Sequence, residues 1–298
     1  MRRLLWLSMV FMGLVAQYAQ AQQVVRQDER LASDRPEAWA MRRVAGASLM
    51  TAFGEIPALA PGQWSLALEA GEVPRLSTAQ RRVGFNGDKI EDLNKSPVFG
   101  RIRLGLGLPA GWVAELGYTP PLAINGVRPR NLVALAVGHR VFERGRFNLS
   151  ARAFGQHGAI EGDITCPAEL VGVTDLERNP YGCQAASNDR ISVNDYGVDL
   201  TSGWNTGRWH WHGELGVVRT ELQVRVDALT FDVRDRSRLM ANGVVHYTAL
   251  GVRRDLGRHW SLGTELLHVP LRVRRGPDAA SQSEPLTSLR LQLRYAGD

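Results

Sequence analysis

Residues 101–118, RIRLGLGLPAGWVAELGY, decide the fold that the sequence predicts. Apolar residues alternate with small or charged ones before a break at 109–111, and the alternation resumes after it. A period of two on both sides of a three-residue break is typical of a β-hairpin. One face is continuously apolar and carries Trp112 and Tyr118, whereas the other face is small or charged. That combination predicts strands with lipid on one side and a polar lumen on the other.

The same alternation recurs along the chain and predicts ten strands joined by two kinds of connection. Four connections are about three residues long, and they lie near residues 110, 144, 206 and 257. The others are mostly long and polar, and they lie near 74–97, 124–130, 158–190, 224–242 and 275–285. Outer-membrane barrels have short turns on the periplasmic side, long loops outside and an even number of strands. We therefore predict an all-β, antiparallel, up-and-down transmembrane barrel of about ten strands with both chain ends on the periplasmic side. A soluble lipocalin-like barrel or sandwich is the alternative.

The start of the chain predicts export. Arg2 and Arg3 precede an apolar run over residues 4–16, and a small-x-small site follows at 19–21. Residues 1–21 are therefore interpreted as a secretory signal peptide. A membrane anchor is the alternative, but the run is shorter than the roughly 20 apolar residues of a spanning helix.

Residues 22–60 are predicted to form a periplasmic N-terminal segment with a helix over about 34–53, before a barrel over 61–298. Asp34 and Glu37 form a capping-box pattern at the start of this helix. Apolar residues then recur at a spacing of four, at Met41, Ala45, Leu49 and Phe53. Such a helix either packs against the rest of the fold or covers the barrel mouth and binds a partner.

Over roughly residues 60–298 the chain resembles Gram-negative outer-membrane β-barrel proteins. In size and strand count it is similar to the omptin-like ten-stranded barrels. The last strand, residues 289–295, resembles the C-terminal signal for barrel assembly, although three residues follow it. The resemblance implies an outer-membrane location, contact with outer-membrane lipids and lipopolysaccharide, and assembly by the barrel-assembly machinery. It is architectural, and no motif in it identifies an activity.

Strand alternation also predicts the residues that line the lumen and those that form an aromatic girdle. The predicted lumen charges are Glu69, Arg101, Arg103, Glu115, Arg152, Asp199, Glu214, Glu265, Arg290 and Arg294. The predicted girdle consists of Trp64, Trp112, Trp204, Trp209, Trp211, Trp260 and Tyr295. Opposite signs interleave between neighbouring strands, with Glu265 beside Arg290 and Arg294, which favours ion pairs across a narrow lumen. A selective conduit lined by charge is the alternative hypothesis.

The two cysteines, Cys166 and Cys183, lie in one long external loop and predict a disulfide in an exported protein. Two free thiols are the alternative. The formal charge of +6 is not clustered and accompanies no nucleic-acid motif, so no nucleic-acid partner is predicted.

No catalytic residue, metal or cofactor is predicted. His210 and His212 have a spacing that allows a metal site, but no Cys or second His pair joins them. Omptin-type proteases carry an Asp-x-His on the external rim, and this chain has none. His157 near Ser150, and His268 near Ser261, are candidates for lipid hydrolysis in that both residue types are present, and no G-x-S-x-G motif supports them.

The sequence thus favours a non-enzymatic barrel that serves narrow solute passage or a structural and surface-interaction role. An outer-membrane hydrolase with an active site at the rim is the alternative.

Overall fold

The computed structural model describes residues 23–276 and 278–297, and the predicted signal peptide lies outside them. Its main feature is a closed barrel of ten long strands, which confirms the predicted strand count. The strands are β1 (Trp64–Glu72), β2 (Val98–Gly107), β3 (Trp112–Thr119), β4 (Arg128–Arg144), β5 (Phe147–Gly162), β6 (Asp189–Thr206), β7 (Trp209–Arg225), β8 (Arg238–Asp255), β9 (Trp260–Val269) and β10 (Leu286–Ala296).

Every barrel strand pairs antiparallel with its neighbours in sequence, and β1 pairs with β10 to close the sheet. The closing ladder runs from Ser65 opposite Ala296 to Gly71 opposite Arg290. Closure leaves no exposed sheet edge around most of the circumference, so the backbone polar groups of the wall bond to one another.

The remaining elements are short. Among the described residues the longest helix is α1 (Pro36–Ala47), and none there is long and apolar enough to cross a bilayer. A single helical turn lies at Gly84–Gly87, and 3₁₀ turns lie at Pro109–Gly111 and Ala168–Leu170. Short strands lie at Gln23–Val25, Asp28–Arg30, Arg82–Val83, Lys89–Ile90, Cys183–Ala185, Ala228–Thr230, Val233–Asp235, Arg272–Val273 and Gln282–Ser283.

The two ends of the barrel differ. At the short-turn end, the strands are joined by turns at 108–111, 145–146, 207–208 and 256–259. At the long-loop end, β4 to β8 extend two to five residues into the predicted connections, and the long connections carry most of the short strands.

The helix differs from the sequence-based expectation in its limits. It spans Pro36–Ala47 rather than 34–53, and its N-cap is Arg35, with no side-chain cap. Glu37 does not complete a capping box, because its carboxylate binds the Arg35 guanidinium at 3.1 Å. The chain beyond Ala47 stays extended, since barrel side chains bind the carbonyl groups that a longer helix would use.

The N-terminal segment does not begin at the short-turn end, where both chain ends were expected. Gln23–Val25 pairs in parallel with Val233–Asp235, and Asp28–Arg30 pairs with the start of β8, so both lie at the long-loop end. The chain then passes down the barrel interior to the short-turn end, where β1 begins. The two described chain ends therefore lie at opposite ends of the barrel, and not both at the short-turn end.

Candidate functional site: the plugged lumen

The lumen is occupied by residues 36–60, which we call the plug. Barrel arginines bind its main-chain carbonyl groups, and buried carbonyl groups require such partners. The hydrogen bonds run from Arg101 to Ser48 (2.6 Å), from Arg152 to Met50 (2.6 Å), from Arg103 to Thr51 (2.8 Å) and from Arg290 to Leu49 (2.7 Å). Strands β2, β5 and β10 thus hold one extended stretch of the plug from three sides.

Arg290 also ends the helix. Its guanidinium donates to the carbonyl oxygens of Gly46 (2.9 Å) and Ala47 (3.1 Å) at the C-terminus of α1. The last carbonyl groups of a helix have no partner within the helix, and a cation there also meets the negative end of the helix dipole.

Carboxylates pair with Arg103 and Arg152. Glu69 lies 2.8 Å from Arg103, and Glu115 lies between Arg103 (3.3 Å) and Arg152 (3.2 Å). Arg152 also lies 2.7 Å from Asp199. These charges are buried, and burial is tolerated because each is paired and hydrogen-bonded.

Glu214 and Glu265 bind the plug itself. Glu214 accepts hydrogen bonds from the Ala52 amide (3.0 Å) and the Tyr247 hydroxyl (2.8 Å). Glu265 accepts one from the Thr51 hydroxyl (2.7 Å) and lies 3.3 Å from His212 Nε2.

The predicted interaction of Glu265 with Arg290 and Arg294 is not a contact ion pair. Glu265 lies opposite Arg290 in the β9–β10 ladder. Within the described ranges, however, no nitrogen of Arg290 or Arg294 lies within 4.0 Å of its carboxylate. The plug is the physical reason, because its carbonyl and hydroxyl groups bind Arg290 and Glu265 separately. Sequence reasoning did not predict these plug partners. The signal that the sequence offers is the recurrence of apolar residues over 38–53, which indicates that this segment is buried.

His210 and His212 contact different residues. His210 lies near the short-turn end and contacts Asn205 and Asp255, each at 2.8 Å, whereas His212 faces Glu265. Among the residues that the structure covers, no group of three or more His, Cys, Asp or Glu could hold a metal ion.

The candidate hydrolytic pairs do not come together. His157 faces outward and contacts Asn194 at 2.6 Å, whereas Ser150 is buried on the inner face of β5. Likewise, His268 contacts Thr287 on the outer face, and Ser261 points inward from β9. The members of each pair are seven residues apart, which is roughly 23 Å along a strand.

The long-loop end carries a four-stranded sheet, which we call the platform. Its strands are, in order, Gln23–Val25, Val233–Asp235, Ala228–Thr230 and Cys183–Ala185. Cys166 and Cys183 form a disulfide with a Cα–Cα distance of 5.6 Å.

Glu91 is a buried carboxyl in the long connection between β1 and β2. Burial raises the pKa of Glu91 to about 8, and the nearby Asp189 and Glu37 add to the rise. The Lys89 ammonium, 3.5 Å away, offsets only part of it. Glu91 therefore keeps its proton at neutral pH.

The outer surface of the barrel is that of a membrane protein. Leu104, Leu116 and Leu215 are among many exposed aliphatic side chains on the wall. At the short-turn end the predicted girdle residues Trp64, Trp112, Trp204, Trp209, Trp211 and Trp260 are all exposed, and Tyr295 packs against Trp64 and Trp260. An apolar band with aromatic residues at its boundary is the surface of a barrel in lipid. The chain is an outer-membrane β-barrel protein.

Comparisons with known proteins gave similarities to solved structures alone. No protein-family model and no curated protein matches the sequence. The barrel is similar to the outer membrane protease OmpT from Escherichia coli, at 9% identity and a TM-score of 0.40, over 79% of this chain and 94% of that one. It is similar to the attachment invasion locus protein Ail of Yersinia pestis, at 7% identity and 0.32, over 80% and 99%. It is also similar to the Ralstonia pickettii toluene transporter TbuX, at 8% identity and 0.31, over 87% and 92%. The fold assignment rests on the strand ladder and the outer surface described above.

Proposed function

We propose that this barrel is a non-enzymatic, non-conducting scaffold whose working surface is the platform at the long-loop end. The observation that carries the proposal is the plug, which fills the lumen and is bonded to the wall at several heights. In an outer-membrane barrel the long loops face the cell exterior. The platform is thus presented to external partners on a rigid base.

The plug argues against an axial conduit. A selective pore needs a continuous wet path in which charges face water. Here the lumen charges bind one another and the carbonyl groups of the plug, and Arg101, Arg103, Arg152 and Arg290 are at most 6% exposed. Opening an axial path would break several charge-assisted hydrogen bonds at once.

The absence of assembled catalytic pairs favours a non-enzymatic role. Within the described residues, the His and the Ser of each candidate pair lie on opposite faces of the barrel wall. In the connection between β1 and β2, Lys89 and Glu91 lie 3.5 Å apart.

Conductance across a planar bilayer tests the proposal. Folded wild-type protein, identified by heat-modifiable gel mobility, should show no steady conductance. Glu69→Ala should lower folding stability and permit transient ion leakage, because it removes the closer of the two carboxylates that pair with Arg103. A stable open channel in the wild type, with Glu69→Ala altering only its ion preference, would show that the charges line a water-filled pore.

The hydrolase alternative has its own test. Lipid A and peptide substrates should remain unchanged when incubated with the folded protein. Turnover that a single His157→Ala or His268→Ala replacement abolishes would establish the enzyme and overturn the proposal.

A further inference from the structure

The barrel wall has a gap between β2 and β4. Residues 98–101 of β2 pair with β1, but the β2–β3 ladder begins only at Ile102 opposite Tyr118. On the other side, the β3–β4 ladder ends at Thr119 opposite Leu132, so residues 128–131 of β4 have no partner there. Within the described part of the chain, no strand fills this space. At about 3.3 Å per residue, four unpaired residues leave a gap roughly 13 Å tall.

Pro120 limits the length of β3 at the gap. β3 ends at Thr119, and the following Pro120 has no N–H with which to extend the ladder. The Leu122 amide then donates to the Pro120 carbonyl, which turns the chain away from the wall. β4 is also kinked beside the gap, because its register with β5 shifts between Arg130 and Val133. Such a bulge bends a strand and redirects its edge.

An apolar cavity of about 480 Å³ lies at the gap. From inside the barrel it is lined by Val44 and Ala47 of the plug and by Ile160, Ile164 and Ile191. It is also lined by side chains of the outer face, namely Leu68, Val98 and Ile102, which are 55%, 40% and 38% exposed. One cavity touches both faces of the wall, so it opens onto the lipid-facing surface.

The height of the gap places it in the outer half of the bilayer. Leu68 lies four residues beyond Trp64 of the girdle, which is about 13 Å along the strand. Residues 98–101 pair with β1 residues from 69 onward, further from the short-turn end. The apolar band of such barrels is about 25 Å tall, so the gap faces the outer leaflet.

The chemistry of the cavity lining favours a hydrocarbon ligand. The charged groups at the cavity are already bonded within the protein, since Arg101 donates to Ser48, and Glu69 binds Arg103. Most of the remaining lining is aliphatic, and its other members are the ring of Phe99 and the hydroxyl groups of Ser48, Ser96 and Thr119. The volume falls within the range of about 300–1,000 Å³ that ligand pockets occupy. Lys95 and Asp92 border the cavity at its polar side, 3.4 Å apart, where a head group would remain in water.

We propose that this cavity binds the hydrocarbon chain of an outer-leaflet amphiphile, which enters sideways from the bilayer between β2 and β4. Burial of the chain in an aliphatic cavity supplies the binding free energy. The plug forms the inner wall of the site, so the site does not require an axial pore.

Photolabelling in vesicles tests the proposal. The full chain is folded into phosphatidylcholine vesicles that contain a long-chain fatty acid with a terminal diazirine, and adducts are mapped by mass spectrometry. The interior residues Val44, Ile160 and Ile191 should carry adducts. Adducts confined to Leu68, Val98, Ile102 and other outer-face residues would mean that the cavity is not entered, and would overturn the proposal.

Gly100→Trp is the blocking variant. Gly100 faces outward at the cavity, and a Cβ there meets only the Glu69 carbonyl oxygen, at 3.7 Å, so the variant should fold. The indole should cover the gap and lower interior labelling roughly tenfold. The matched control is Leu215→Trp, at an exposed outer-face position of β7, which should leave interior labelling unchanged. Equal interior labelling in Gly100→Trp would contradict entry through the gap.

A second variant and a second labelling probe complete the test. Val44→Trp should fill the cavity from the plug side and also lower interior labelling, in protein that retains heat-modifiable mobility. A water-soluble short-chain diazirine acid added outside the vesicles should label the interior less than the membrane-inserted probe. Interior labelling from the aqueous probe alone would point to entry from the long-loop end and overturn the lateral route.

Discussion

The Arg152 guanidinium donates a hydrogen bond of 2.6 Å to the main-chain carbonyl oxygen of Met50. It joins the barrel wall to the plug at a site where both groups are buried. Arg152 also binds Asp199 and Glu115, so one side chain ties the backbone of the plug to carboxylates on two other strands. The lumen is therefore a polar core built around a segment of the same chain.

Arg152→Ala should destabilise the barrel by about 3–5 kcal/mol, because it leaves the buried Asp199 without its cation and removes one of the two cations beside Glu115. The measurement is the free energy of unfolding in urea, with the protein folded in detergent. Arg128→Ala is the control, since this exposed arginine makes only a rim ion pair with Glu161 and should change stability by less than about 1 kcal/mol. Similar effects of the two variants would contradict a structural role for Arg152.

The path of the plug predicts that the mature N-terminal region is exposed outside the cell. In intact cells, a membrane-impermeant maleimide should label Val24→Cys, because residues 23–25 are exposed in the platform. Ala110→Cys, in the turn between β2 and β3, should stay unlabelled until the outer membrane is permeabilised. The reverse labelling pattern would place the N-terminal strand at the periplasmic end.

The disulfide of the platform should be complete in the cell. Maleimide should label neither Cys166 nor Cys183 in intact cells until a reductant is added. Replacing both cysteines by Ser should destabilise the loop by about 3 kcal/mol in the chain-entropy model, since the bond closes a separation of 17 residues. Faster proteolysis between residues 163 and 188 would report that loss, whereas labelling without reductant would show free thiols.

Stability should fall as the pH rises through the titration of Glu91. Its pKa is about 8 in the folded protein and 4.5 as the ordinary value, so the folded state binds more protons between these limits. The Glu91 contribution to stability should therefore fall by roughly 1.4 kcal/mol per pH unit within this window and level off above it. Glu91→Gln should remove this part of the pH dependence of the unfolding free energy. A pH profile that the substitution leaves unchanged would contradict a buried, protonated Glu91.

The sequence by itself determined the wall of the barrel. Alternation in stretches such as 101–118 is a local property, since successive side chains of a strand point to opposite faces. It therefore gave the strand number, the outward aromatic residues and the inward direction of charges such as Arg103 and Glu115. The spacing of Cys166 and Cys183 within one loop likewise led to the disulfide.

Only the tertiary structure decided what fills the barrel and where its wall is open. Residues 36–60 carry a weak helical pattern that is compatible with several locations, and the arginines that hold them come from strands far away in sequence. The pairing of Arg290 with plug carbonyl groups, rather than with Glu265, depends on that distant contact. The gap beside Pro120 likewise depends on three strands at once. Strand periodicity is encoded over a few neighbouring residues, whereas the contents of the lumen are set by contacts between segments that only the closed barrel brings together.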